Sequence, residues 1–164
     1  MHSSLTTDLI HAFRTNGVTL IRGMFADCVQ ALRDGVAFNL QHPGPYAAEN
    51  LTDTESGRFF DDYCNWTRIP EFSDVIHRPH IAQIAAELMG SDIVQLFHEH
   101  VLVKEPGTSK PTPWHSDAPY YFTGGQQNIS FWVPLDPVKE NSLRVVAGSH
   151  KWKKPVLPTR WLSE

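Results

Sequence analysis

Residues 93–104 read Ile93-Val94-Gln95-Leu96-Phe97-His98-Glu99-His100-Val101-Leu102-Val103-Lys104. Successive side chains of an extended chain point to opposite faces. Val94, Leu96, His98, His100, Leu102 and Lys104 therefore fall on one face, and Ile93, Gln95, Phe97, Glu99, Val101 and Val103 on the other. Neither set is purely apolar, as expected of a strand with one face lining a polar cavity. The alternation predicts a strand over 93–104, and the chain changes character where it begins. Of the 12 prolines, four lie before residue 100 and eight after it. Proline fixes φ and removes a backbone donor, so the part beyond residue 91 reads as short strands joined by punctuated loops. Further strands are expected over 128–135 and 143–147.

The part before residue 91 carries helical signals. Thr6-Thr7-Asp8 can cap a short helix through Phe13, which Asn16-Gly17 ends. Val18-Thr19-Leu20-Ile21 is a β-branched and aliphatic run and reads as a strand. Within 26–40, Val29, Leu32, Val36 and Leu40 recur at helical spacing, and Pro43-Gly44-Pro45 stops the pattern. A loop is expected over 46–57 and a short strand over 57–61. Two helices follow over 69–76 and 81–89, separated by Arg78-Pro79 and closed by Gly90. Helices first and antiparallel-looking strands afterwards predict an α+β fold or a helix-decorated β-sandwich.

Composition sets the outer bounds. The 164 residues are 41% hydrophobic and 20% charged, ordinary usage for one globular domain. A net charge of −4 argues against a nucleic-acid or anionic-membrane footprint, since both want a basic surface. No stretch approaches the roughly 20 apolar residues of a bilayer span, and Met1 to Asp8 lacks the basic flank and apolar run of a signal peptide. Cys28 and Cys64 cannot make a disulfide framework, so a reducing, cytoplasmic setting is expected. Nine histidines are many for this length, and imidazole is the commonest metal ligand.

The sharpest local feature is Trp114-His115-Ser116-Asp117. In an extended segment residues i and i+2 share a side, so the His115 imidazole and the Asp117 carboxylate converge. One nitrogen and one carboxylate donor are two-thirds of the facial triad of non-haem iron(II) oxygenases. Taken alone, the tripeptide also fits an Asp117 that caps the turn at Ala118-Pro119 and a His115 bonded to backbone. A second candidate pair, His98 and His100, puts two imidazoles on one strand face, a pattern that cupin-like metal-binding β-sandwiches use.

Three blocks extend the first motif in order: Thr112 to Tyr121, Ile129 to Asp136, and Asn141 to Lys151 with its Gly148-Ser149-His150-Lys151 end. Together with Leu102-Val103-Lys104-Glu105-Pro106-Gly107 they resemble the phytanoyl-CoA dioxygenase family of iron(II)- and 2-oxoglutarate-dependent oxygenases. The resemblance is dense over 97–151 and looser before. It implies N-terminal helices packed on a double-stranded β-helix (jelly-roll, cupin-like), with residues 1–90 as the mainly helical part and 91–164 as the first strands. It also implies a dioxygenase hydroxylating a small-molecule or acyl substrate, with iron(II) as cofactor, 2-oxoglutarate as cosubstrate and dioxygen as the other reactant. His115 and Asp117 match the first two iron ligands. Trp132 matches a tryptophan bordering the 2-oxoglutarate pocket, against plain core packing as the alternative. His100 and Lys104 share a face of a strand that resembles a pocket wall and are cosubstrate-contact candidates, although a solvated strand end also accounts for Lys104.

One departure stands out. The family's third ligand is a histidine well downstream of the Gly-Ser-His block, followed by an arginine that pairs with 2-oxoglutarate. After Asp117 this chain has one histidine, His150, 33 residues on, and it lies in the Gly-Ser-His block itself. The expectation is an oxygenase domain incomplete at its C-terminus, with His150 outside the iron site. A non-catalytic protein of the same fold is the remaining alternative, since fold alone does not settle activity.

Overall fold

The computed structural model describes residues 5–50, 56–108, 111–121, 124–125, 127–140 and 142–158. Residues 51–55 of the expected loop and Asn141 of the third block lie outside them. Four helices, α1 (Thr7–Asn16), α2 (Val29–Gln41), α3 (Pro70–Ile76) and α4 (Pro79–Met89), accompany a small sheet. The sheet has β1 (Ala48–Glu49), β2 (Phe59–Tyr63) and β3 (His100–Lys104) in the order β1-β2-β3, both pairings antiparallel. This is an α+β fold. The described residues fall into two compact units, one drawn from 5–29, 77–95 and 116–155, the other from 30–76, 96–115 and 156–158.

In the first unit, α1 starts where the Thr6 hydroxyl accepts the Leu9 N–H at 3.3 Å. It ends where Gly17, at φ +80°, donates its N–H to Phe13 O. Asp8 in its first turn and Arg14 in its last both complement the helix dipole. α1 packs on α4, which begins with Pro79, buries Ile84, Ala85 and Leu88, and closes on left-handed Gly90. The strand expected at Val18–Ile21 is not there. That run is irregular and lines a cavity instead, since β propensity yields a strand only where a partner ladder exists.

In the second unit, Phe60, Ile69, Phe72 and Val101 form the core, with Leu32, Val36 and Leu40 of α2 packed against it. α2 begins at Val29, the first of its spaced apolar residues, and not at Ala26 where the expected stretch opens. Beneath this core lies a polar knot. Asp62, fully buried, accepts Asn39 Nδ2 at 2.8 Å and the Gly44 N–H at 2.7 Å on Oδ2, and the Tyr63 N–H at 2.9 Å on Oδ1. A Cβ at Gly44 would stand 2.3 Å from Asn65 Oδ1, so only glycine lets the turn after α2 approach the knot.

β3 is shorter than its sequence alternation. The register pairs Phe59 with Lys104, Phe60 with Val103, Asp61 with Leu102, Asp62 with Val101 and Tyr63 with His100. β2 has five residues, so the ladder spans 100–104; Glu99 O still accepts the Cys64 N–H at 3.2 Å, and 93–98 carry the alternation without a ladder. The strands expected over 128–135 and 143–147 likewise do not form among the described residues. In the second of these stretches Leu143, Val145 and Val146 stay exposed, while Ile129, Phe131, Val133 and Leu135 of the first are partly buried. Beyond residue 91 the helices among the described residues are two single 3₁₀ turns, Ala118–Tyr120 and Ser149–Lys151. No helix among the described residues is long and apolar enough to cross a membrane.

Candidate functional site

The two strand faces behave as alternation requires. Val101 is buried and Val103 packs on the core, while His100, Leu102 and Lys104 are exposed on the other side. His100 and Lys104 thus share the face turned away from the core, opposite Tyr63 and Phe59. The Lys104 ammonium lies 4.3 Å from the centre of the Phe59 ring, a cation–π contact. His100 Nε2 is 3.5 Å from Asp61 Oδ1, and its ring meets Tyr63 edge-on at 5.6 Å.

His98 and His100, the alternative metal pair, have ring centres 6.2 Å apart at 77°. Burial and the neighbouring His100 hold the His98 pKa below the ordinary histidine value. Both imidazoles pack on Tyr63. Among the described residues no group of three His, Cys, Asp or Glu side chains is placed to hold a metal ion.

His115, in the second unit, is half-buried, and its Nδ1 donates to Pro113 O at 2.8 Å. A carbonyl can only accept, so Nδ1 carries a proton, and in the neutral ring the lone pair is on Nε2. Metal-binding histidines are oriented by this kind of bond. Asp117, in the first unit, has a helical backbone and precedes the Ala118–Tyr120 turn. It caps that turn with its backbone carbonyl, which accepts Tyr120 N at 2.9 Å, and not with its carboxylate. Trp132 is half-exposed and lines a cavity of about 440 Å³ in the first unit, with Phe13, Leu20, Phe25, Leu88 and Phe131.

His150 has a different occupation. The Ser149–Lys151 turn docks on the C-terminal end of α1, where three consecutive carbonyls lack helical partners. His150 Nε2 bonds Arg14 O at 3.3 Å, Lys151 Nζ bonds Thr15 O at 3.2 Å, and Gly148 N bonds Asn16 O at 2.8 Å. The Gly-Ser-His-Lys block is therefore a helix cap reaching across 136 positions of sequence. His150→Ala is expected to cost about 1 kcal/mol for the lost bond, read as a lower urea midpoint.

Gly17 is tied to the same contact. A Cβ there would stand 2.4 Å from His150 Nδ1, on a backbone at φ +80°. Gly17→Ala should cost about 1–2 kcal/mol from the left-handed conformation alone, and more from the clash. Adding His150→Ala should recover the second part, so a double-mutant cycle of urea midpoints is expected to show coupling.

Asp62, Asn39 and Tyr63 were not marked by the sequence. The only available signal was a polar residue at a core-facing position of β2, next to Phe60 in the alternation. A family model described as phytanoyl-CoA dioxygenase (PhyH) matches residues 13–164. Neither a curated protein nor a solved structure matches the chain.

Proposed function

This chain belongs to the phytanoyl-CoA dioxygenase family, and on that premise we propose an iron(II)- and 2-oxoglutarate-dependent oxygenase acting on a small molecule, built on a jelly-roll plan. The observation that carries the reading to particular atoms is the Nδ1 bond of His115 to Pro113 O. It leaves Nε2 as the donor nitrogen, the form in which imidazole binds a divalent metal. Asp117, two positions on, would supply the anionic oxygen. When bound, iron(II) supplies the redox and dioxygen chemistry that no side chain can.

The chain's own groups have three tasks in this reading. His115 and Asp117 hold the metal. Lys104, steadied over the Phe59 ring, offers an ammonium to a cosubstrate carboxylate, with His100 farther along the same face. Trp132 matches the tryptophan that borders the 2-oxoglutarate pocket in the family. His150 takes no part, because its ring is committed to the end of α1.

The test is anaerobic titration with iron(II) and 2-oxoglutarate, followed by the metal-to-ligand charge-transfer absorbance, and succinate release once oxygen is admitted. It is run on this chain, where His115 and Asp117 as protein ligands should give weak binding, with the band saturating only at high iron(II). Absence of any band removes the oxygenase reading.

A further inference from the structure

The open face of the sheet carries more than the two side chains that the oxygenase reading uses. Cross-strand pairing puts Phe59, Asp61 and Tyr63 beside Lys104, Leu102 and His100 on that face, while Phe60, Asp62, Val101 and Val103 point the other way. Its chemistry changes in order along the strands. At one end the Lys104 ammonium rests on Phe59. In the middle stands the Asp61 carboxylate, with Oδ1 3.5 Å from His100 Nε2 and Oδ2 accepting from Asn50. At the other end four rings gather. Tyr46 stacks on Tyr63 at 4.7 Å and 13°, and the His98 and His100 rings each lie 5.6 Å from Tyr63.

We propose that the Tyr46, Tyr63 and Asp61 end of this face is the substrate-recognition wall, and that it takes an organic ammonium group. Asp61 supplies the countercharge and the half-exposed Tyr46 supplies an open π face, the two features by which proteins recognise such cations. Lys104 pairs with Phe59, the next position on this face from the Asp61–Leu102 pair, and its ammonium is drawn onto the Phe59 ring, which suits an anionic cosubstrate. His98, kept neutral by burial and by His100, adds a ring without adding charge. That this wall faces the reacting centre rests on the oxygenase reading; that it binds an ammonium does not.

The experiment uses choline and its neutral isostere 3,3-dimethyl-1-butanol as probes, with the full chain, no iron and no 2-oxoglutarate. Affinity is read by ligand-observed NMR titration. Choline is expected to bind at least about tenfold more tightly than the isostere, one such contact in a partly desolvated site. Asp61→Asn and Tyr63→Leu should each lose about tenfold, and Tyr63→Phe, which keeps the π face and the packing, should retain affinity. Equal binding of the two probes overturns the proposal, and so does an Asp61→Asn variant that binds choline as well as the parent. Should Tyr63→Leu fail to fold, the Asp61→Asn variant and the isostere comparison decide the matter. A failed charge-transfer titration with intact choline discrimination sinks the oxygenase reading alone. The reverse result sinks the ammonium site alone.

Discussion

His115→Ala and Asp117→Ala should each remove the iron(II)–2-oxoglutarate absorbance band, with metal affinity falling by about two orders of magnitude or more. The size follows from what each residue gives. Loss of a group that merely orients a ligand weakens metal sites about 10- to 100-fold, and loss of the donor atom itself costs at least the upper end. His115 bonds Pro113 O, and Asp117 caps its turn through its backbone carbonyl, which neither substitution removes. Far-ultraviolet circular dichroism should therefore match the parent while the titration fails. His150→Ala is the control that separates the two candidate histidines. It should shift the urea midpoint through the α1 cap and leave the band where it was. A band that survives His115→Ala, or one lost in His150→Ala, would reverse their roles.

Much of this was open to a reader of the sequence, and the division between what was and was not has a physical basis. Thr6 and Gly17 mark the ends of α1, and Gly90 marks the end of α4, because capping is a contact among neighbours in sequence. The inside and outside of β3 were equally legible, since Val101 and Val103 alternate with His100, Leu102 and Lys104 whatever the partner. Strand length was not, because it depends on the five residues of β2 and not on residues 93–99 themselves. Val18–Ile21 failed for the same reason: its residues suit a strand, and no ladder reaches them. The α1 cap by His150 and Lys151 joins positions 136 apart, a distance over which no local rule operates. The HxD pair was visible as residue types, and the bond from His115 to Pro113 O gave one of them an orientation.

The buried carboxylate of Asp62 was beyond such reading, and it carries the largest stability effect expected in the second unit. Asp62→Ala should destabilise by about 3–5 kcal/mol, because it strips the acceptor from buried donors and leaves the Arg68 guanidinium, 3.7 Å away, without its counter-ion. Against a total of about 5–15 kcal/mol for a domain, that is enough to unfold much of the population at moderate urea. The effect should also depend on pH in a definite direction. Burial alone would push the Asp62 carboxyl up, and the hydrogen bonds from Asn39, Gly44 and Tyr63 outweigh it and hold the pKa below the usual aspartate value. A group whose pKa is lower in the folded state binds its proton more readily when unfolded. Its contribution is therefore complete above the unfolded value of about 4 and is lost as pH falls through the folded one. Urea midpoints of the parent and of Asp62→Asn, which keeps the shape and removes the charge, should lie far apart at pH 7 and draw together as pH falls below about 4. A gap of the same size at both ends would mean that the loss in Asp62→Asn does not come from the charge, and that the ionised acceptor is not what ties the turn at Gly44 and helix α2 to the sheet.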